Sequence, residues 1–183
     1  MPATVSNAHL SLAAATEIAV DDKLIMYDTS ANTTKTVTPL VLGAGGGTAI
    51  AIGDVTSYAV LAANSGKTHI MGSIANSCTI TLPTSVAGLN YEFWFCSTAA
   101  EGQNFVIETG SATNCFAGGV VHLDADSGTG ADEVVPVYSN GSSNDVLTLV
   151  TPGAGTFVKV VSSGTTWYLV GTVVGATAPT IGD

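Results

Sequence analysis

The 183-residue chain is only 10% charged, against roughly 25% in ordinary soluble domains, and its four basic residues, all lysine, face fourteen acidic ones for a net charge of −10. With a mean hydropathy of +0.43 and a pI near 4.3, it lacks the clustered Lys and Arg that grip nucleic acid or an anionic membrane. It is also too apolar for intrinsic disorder.

No apolar run approaches the ~18 residues of a membrane-spanning helix. The first 22 residues hold no Lys or Arg, so no secretory leader is expected. The length suits one domain, or one domain with an arm. A folded monomer of this size exposes on the order of 8,000 Å², so the 18 charges leave roughly one per 450 Å². That sparseness predicts that other chains cover part of the surface.

In chain order, residues 1–54 read as an N-terminal arm or small hairpin module. An Ala/Ser/Thr-rich stretch with a weak helical pattern over 9–18 comes first. A short strand over 23–28 follows, then a turn over 29–34, then a returning strand over 35–42 interrupted at Pro39. The glycine-rich stretch 43–47 is a flexible joint, because glycine tolerates backbone angles closed to other residues.

From Ser57 the periodicity is two. Strands are predicted over 58–62, 68–74, 79–82, 91–97, 105–109, 120–123, 134–138, 146–150, 156–161 and 167–173, rich in Val, Ile, Thr and aromatics. Asn, Gly, Ser and Pro punctuate them at the 8–12-residue spacing of a β-sandwich or barrel. Residues 84–89 alone suit a helical turn. The fold class expected is all-β, a sandwich or jelly-roll-like body over 55–174, with an extended or loose tail over 175–183. The clearest hairpin joins 158–161 to 167–170, and Trp167 is expected in the core.

Motifs for chemistry are weak. Gly66-Lys67-Thr68 resembles the end of a phosphate-binding loop, but Leu61 occupies the first glycine position and a strand, not a helix, follows. The run Asp124-Ala125-Asp126-Ser127-Gly128 with Asp132 and Glu133 resembles a calcium loop, with Asp124, Asp126 and Asp132 as weak metal candidates. Thr129 and Val135 stand where an EF-hand needs glycine and a bidentate glutamate, so a solvated acidic loop is expected and no metal.

His9, His69 and His122 are widely separated, and neither a nucleophile elbow nor a zinc-protease motif occurs. Glu92 and Glu108 lie in strands, where a carboxylate pair flanking a sugar bond is one reading and solvent-facing positions the other. Cys78, Cys96 and Cys115 read as buried thiols acting as small hydrophobes. No enzyme activity, catalytic residue or cofactor is expected.

Two stretches carry a resemblance. The first is Cys78-Thr79-Ile80-Thr81-Leu82-Pro83 followed by Ala87-Gly88-Leu89-Asn90-Tyr91-Glu92-Phe93 and then Gly102-Gln103-Asn104-Phe105-Val106-Ile107. The second runs from Asp145 to Leu149 and on to the hairpin Ser163-Gly164-Thr165-Thr166-Trp167-Tyr168-Leu169-Val170-Gly171. Both resemble β-rich virion proteins of tailed bacteriophages, as does the arm segment from Asp22 to Ser30.

The resemblance implies a structural role, with a capsid decoration (cement) protein as the first reading. Such a protein is expected on the capsid surface of the virion after synthesis in the host cytoplasm. The expected partners are two more copies of itself, in a homotrimer, and the major capsid protein. The arm residues Leu24, Ile25, Met26, Tyr27, Val37, Leu40, Val41 and Leu42 are the expected partner contacts. A tail adaptor or tail-fibre head domain is the alternative. A carbohydrate-binding module is a third option, which exposed Tyr and Trp on one sheet face would favour.

Overall fold

The computed structural model describes residues 24–28, 33–37, 49–97, 100–125 and 134–183. The chain divides into two compact units, Met1–Gly46 and Gly47–Asp183. In the first, β1 (Leu24–Asp28) and β2 (Thr33–Val37) form an antiparallel pair that sets Leu24 opposite Val37 and Tyr27 opposite Thr34. The helical pattern over 9–18 and the stretch 38–48, with Leu40, Val41, Leu42 and the whole glycine joint 43–47, lie outside the described residues.

The second unit is an all-β sandwich. Its strands are β3 (Ile50–Ile52), β4 (Ser57–Ala59), β5 (Thr68–Met71), β6 (Cys78–Thr81), β7 (Asn90–Phe95) and β8 (Phe105–Glu108), then β9 (Phe116–Asp124), β10 (Val134–Tyr138), β11 (Val146–Leu149), β12 (Phe157–Ser162), β13 (Trp167–Gly175) and β14 (Thr180–Gly182). One sheet has seven strands in the order β10-β9-β13-β12-β7-β5-β3. The other has five, in the order β14-β11-β8-β6-β4.

From β3 to β8 the chain alternates between the sheets. β3, β5 and β7 stack in parallel in one, and β4, β6 and β8 in the other. Each return to the same sheet passes through a strand of the opposite sheet, which supplies the crossover a parallel pair requires. The later strands add antiparallel pairs, β12 with β7 and β13, β10 with β9, and β11 with β8 and β14, and one further parallel pair, β13 with β9. A jelly roll is antiparallel throughout, so the parallel stack is a departure from that part of the expectation.

The core lies between the sheets. Tyr91, Phe93, Phe95, Phe116, Val158, Val160 and Trp167 from the larger sheet meet Cys78, Ile80, Phe105, Ile107, Leu147 and Leu149 from the smaller. Strict alternation of buried and half-exposed residues in β5, β6, β7, β8 and β11 follows from the two-residue repeat of a pleated strand. Trp167 is fully buried, as expected, with its ring centroid 6.0 Å from that of Tyr91.

Four expectations need correction. Ile50–Ile52 forms β3, paired to β5, so the body begins before residue 55. The tail is not loose, because Thr180–Gly182 forms β14 on the edge of the smaller sheet, paired to β11. Residues 84–89 make a non-helical turn closed by Leu89 N–H to Val86 C=O, and the helical turn is instead the 3-10 segment Ala62–Asn64. Cys78 and Cys115 are buried, but Cys96 is exposed, because it follows the last residue of β7, beyond the sheet.

Candidate interaction surface

Residues paired directly across strands point to the same side of a sheet, so the register defines the outer face of the seven-stranded sheet. One row crosses all seven strands: Pro136, Val121, Thr172, Phe157, Trp94, Ile70 and Ala51. The row beside it reads Tyr138, Gly119, Val170, Lys159, Glu92 and Thr68. Val134, Leu123 and Val174 extend the face at one end, and Tyr168 and Val161 at the other. Of the ten exposed large hydrophobic side chains among the described residues, seven stand on this face, led by Tyr138 at 75%, Val134 at 69%, Val170 at 56% and Tyr168 at 55% exposure. Apolar exposure is therefore concentrated, not scattered as on most surfaces.

Among the described strand residues of this face, the charged ones are Lys159 and Glu92, and they pair with each other at 2.9 Å. The hydrogen bond from Lys159 holds the Glu92 carboxyl below the usual carboxylate range, against a smaller opposing push from burial. Beside the pair, Trp94 stacks on Phe157 with ring centroids 4.8 Å apart and planes 20° from parallel.

The outer face of the five-stranded sheet is its chemical opposite. Its rows read Ser57, Thr79, Val106, Thr148, Thr180 and Ala59, Thr81, Glu108, Val146, Gly182. Thr81 donates to Glu108 at 2.7 Å. Hydroxyls hydrogen-bond water, so this is a face built for solvent. Glu92 and Glu108 thus stand on opposite outer faces of the sandwich and do not converge on one bond.

The remaining sequence candidates are placed as follows. Leu24, Ile25, Met26, Tyr27 and Val37 lie in the β1–β2 pair. Asp124 ends β9, while Asp126 and Asp132 lie outside the described residues. Among the described residues no group of three His, Cys, Asp or Glu side chains converges as a metal site. Gly66 sits in a turn at φ +82°, Lys67 donates to Asn64 at 3.2 Å, and Thr68 opens a strand, so Gly66-Lys67-Thr68 is a turn and not a phosphate loop.

Among the histidines, His122 is buried and its Nε2 lies 2.9 Å from the Gly175 carbonyl oxygen. His69 is fully buried, and neither ring nitrogen has a hydrogen-bond partner. Its ring lies among aromatics, 5.1 Å from Phe93 and 5.9 Å from both Tyr58 and Tyr91 by centroid. Burial pushes its pKa below the ordinary histidine value; the backbone of Glu92 and Lys67 pulls the other way, and the Lys67 charge adds to the lowering.

The apolar outer face is the feature that reading for motifs missed. Its signal is present in Trp167-Tyr168-Leu169-Val170 and Val158-Lys159-Val160-Val161, where apolar residues occupy outward as well as inward positions. Near-continuous apolar strands are those covered on both sides. No family model matches the chain, and no curated protein matches it.

Proposed function

We propose that the chain is a virion structural protein of a tailed bacteriophage, a capsid decoration protein that binds as a homotrimer across major capsid subunits. The observation that carries this reading is the contrast between the two outer faces. A compact β body with one threonine-rich face and one apolar face suits a subunit with one side to water and one to protein. The phage-like segments support it from sequence; they correspond to β6, β7 and β8 and to β11 and the β12–β13 hairpin. The arm, Met1–Gly46, adds contact area across subunit boundaries, so that stabilisation comes from buried apolar surface and strand addition and not from catalysis.

The test is to label intact particles with an antibody to this chain. Even labelling of heads supports decoration. Labelling confined to the tail supports an adaptor or fibre head. Light scattering of the isolated chain should give three times 18.3 kDa.

One observation favours a second reading, a carbohydrate-binding module. Trp94, Tyr138 and Tyr168 share one sheet face, as aromatic platforms for sugar rings do. That reading requires binding to a polysaccharide that Trp94→Ala abolishes.

A further inference from the structure

We infer that the outer face of the seven-stranded sheet is where copies of this chain join one another. Three observations select a second copy as the occupant. The first is area. Seven strands of three to nine residues, spaced ~4.8 Å apart with ~3.3 Å per residue, give roughly 650 Å² of face. Two copies therefore bury about 1,300 Å² in total, within the range of stable protein interfaces.

The second is charge. The chain carries a net −10, so two copies repel wherever their carboxylates approach. On this face Glu92 is neutralised by Lys159, and the surrounding rows are Val, Leu, Ile, Ala, Gly, Pro, Thr, Phe, Trp and Tyr. It is the part of the described surface through which like-charged copies approach at least electrostatic cost.

The third is the kind of side chain present. Interfaces between proteins are anchored by a few large aromatic groups in an apolar setting depleted of charge. The Trp94–Phe157 stack lies in the middle of the row, with Tyr138 and Tyr168 towards its flanks and aliphatic residues between. A sugar platform needs hydrogen-bonding groups beside its rings, and here the charged ones are engaged with each other. The assignment does not rest on the virion role: tail-only labelling of particles leaves this face standing, and a monomeric chain leaves the labelling result standing.

The experiment is sedimentation velocity on the full chain across nanomolar to high micromolar concentration, on wild type, Val121→Lys, Val170→Lys and the off-face control Leu61→Lys. Wild type and the control should sediment as the same multiple of 18.3 kDa, and the two face variants as monomers. A wild-type chain that stays monomeric throughout overturns the proposal, and so does an assembly that both face variants leave intact. Monomers that bind a polysaccharide through Trp94 overturn it as well.

If a face variant does not fold, acrylamide quenching of the wild type decides. The chain has two tryptophans; Trp167 is fully buried, and Trp94 lies on the face, half-buried. Quenching should fall as concentration rises, toward the level set by Trp167 alone. Quenching that is independent of concentration while the mass rises places the contact elsewhere and overturns the assignment.

Discussion

Lys159 on β12 and Glu92 on β7 are direct cross-strand partners, joined by a 2.9 Å hydrogen bond in the middle of an otherwise uncharged sheet face. With about two-fifths of each side chain exposed in the isolated chain, the pair contributes at most a few tenths of a kcal/mol to folding. Its importance lies in what happens when the face is covered, because a lone buried charge costs far more than a paired one.

Lys159→Met should therefore leave folding almost unchanged but weaken self-association by about tenfold or more, since Glu92 then enters the interface unpaired. Glu92→Gln combined with Lys159→Met should restore association to at least the wild-type level. The single variant should also recover on acidification, because without Lys159 the Glu92 carboxyl takes up a proton more readily. Sedimentation on the two single variants and the double variant tests this as a cycle. Additive losses in the double variant would refute it.

His69 should make the body acid-sensitive. Its folded pKa is lowered by burial, so the unfolded chain binds the proton more tightly. The stability associated with a neutral His69 is fully present above the unfolded value of about 6.5 and is lost as pH falls below it toward the folded pKa. The groups around it do not offset this: the Tyr58 and Tyr91 phenols are pushed up by burial, the Lys67 charge adds to the lowering, and the Glu92 side chain is on the other side of the sheet. His69→Leu should remove the two unpartnered ring nitrogens and gain about 1 kcal/mol at neutral pH. Thermal melts from about pH 7.5 to about pH 5 should fall steeply for wild type and less for the variant. Parallel curves would show that another group controls the loss.

Gly118 in β9 is fixed by its neighbours. Its φ is +100°, and an added Cβ would fall on the Leu169 carbonyl oxygen of β13. Gly118→Ala should cost about 2–3 kcal/mol through strain and displaced backbone. Gly72→Ala, where a Cβ meets nothing within 4 Å, should change stability by less than about 0.5 kcal/mol. Urea unfolding of both variants reads the difference, and equal losses would mean that β9 and β13 can separate at that point.

That same glycine explains one limit of the sequence. Ten strands are legible from their alternation, yet β9 was expected from residue 120 when it begins at Phe116, because Gly118 and Gly119 carry no side chain to mark a face. β3 and β14 are three residues each, too short for a period of two to register, and they exist through pairing to β5 and β11. The parallel stacking of β3, β5 and β7 leaves no local trace, since the intervening segments differ in length. The apolar outer face was present in the residue pattern of β12 and β13. It became a surface only when register aligned Pro136, Val121, Phe157 and Trp94, four residues from strands far apart in the chain.

The arm supplies the last prediction. Met1–Gly46 is a unit separate from Gly47–Asp183, and among the described residues the sandwich core begins at Ile52. Deleting residues 1–42 should therefore leave the body folded, with its β-type circular dichroism and the near-ultraviolet signal of the buried Trp167 intact. Self-association should survive too, because the seven-stranded sheet lies wholly within the body. Binding to capsids should be lost under the proposed role. A two-stranded pair such as β1–β2 is only marginally stable alone in water, and under the proposed role Leu24, Ile25, Met26 and Val37 are contacts to the capsid. Ordering on that partner lowers affinity per unit area but spreads the footprint over several subunits. Truncated protein that coats heads with unchanged affinity would show that the arm is not the anchor. A truncated body that fails to fold would show that residues before 43 complete the core.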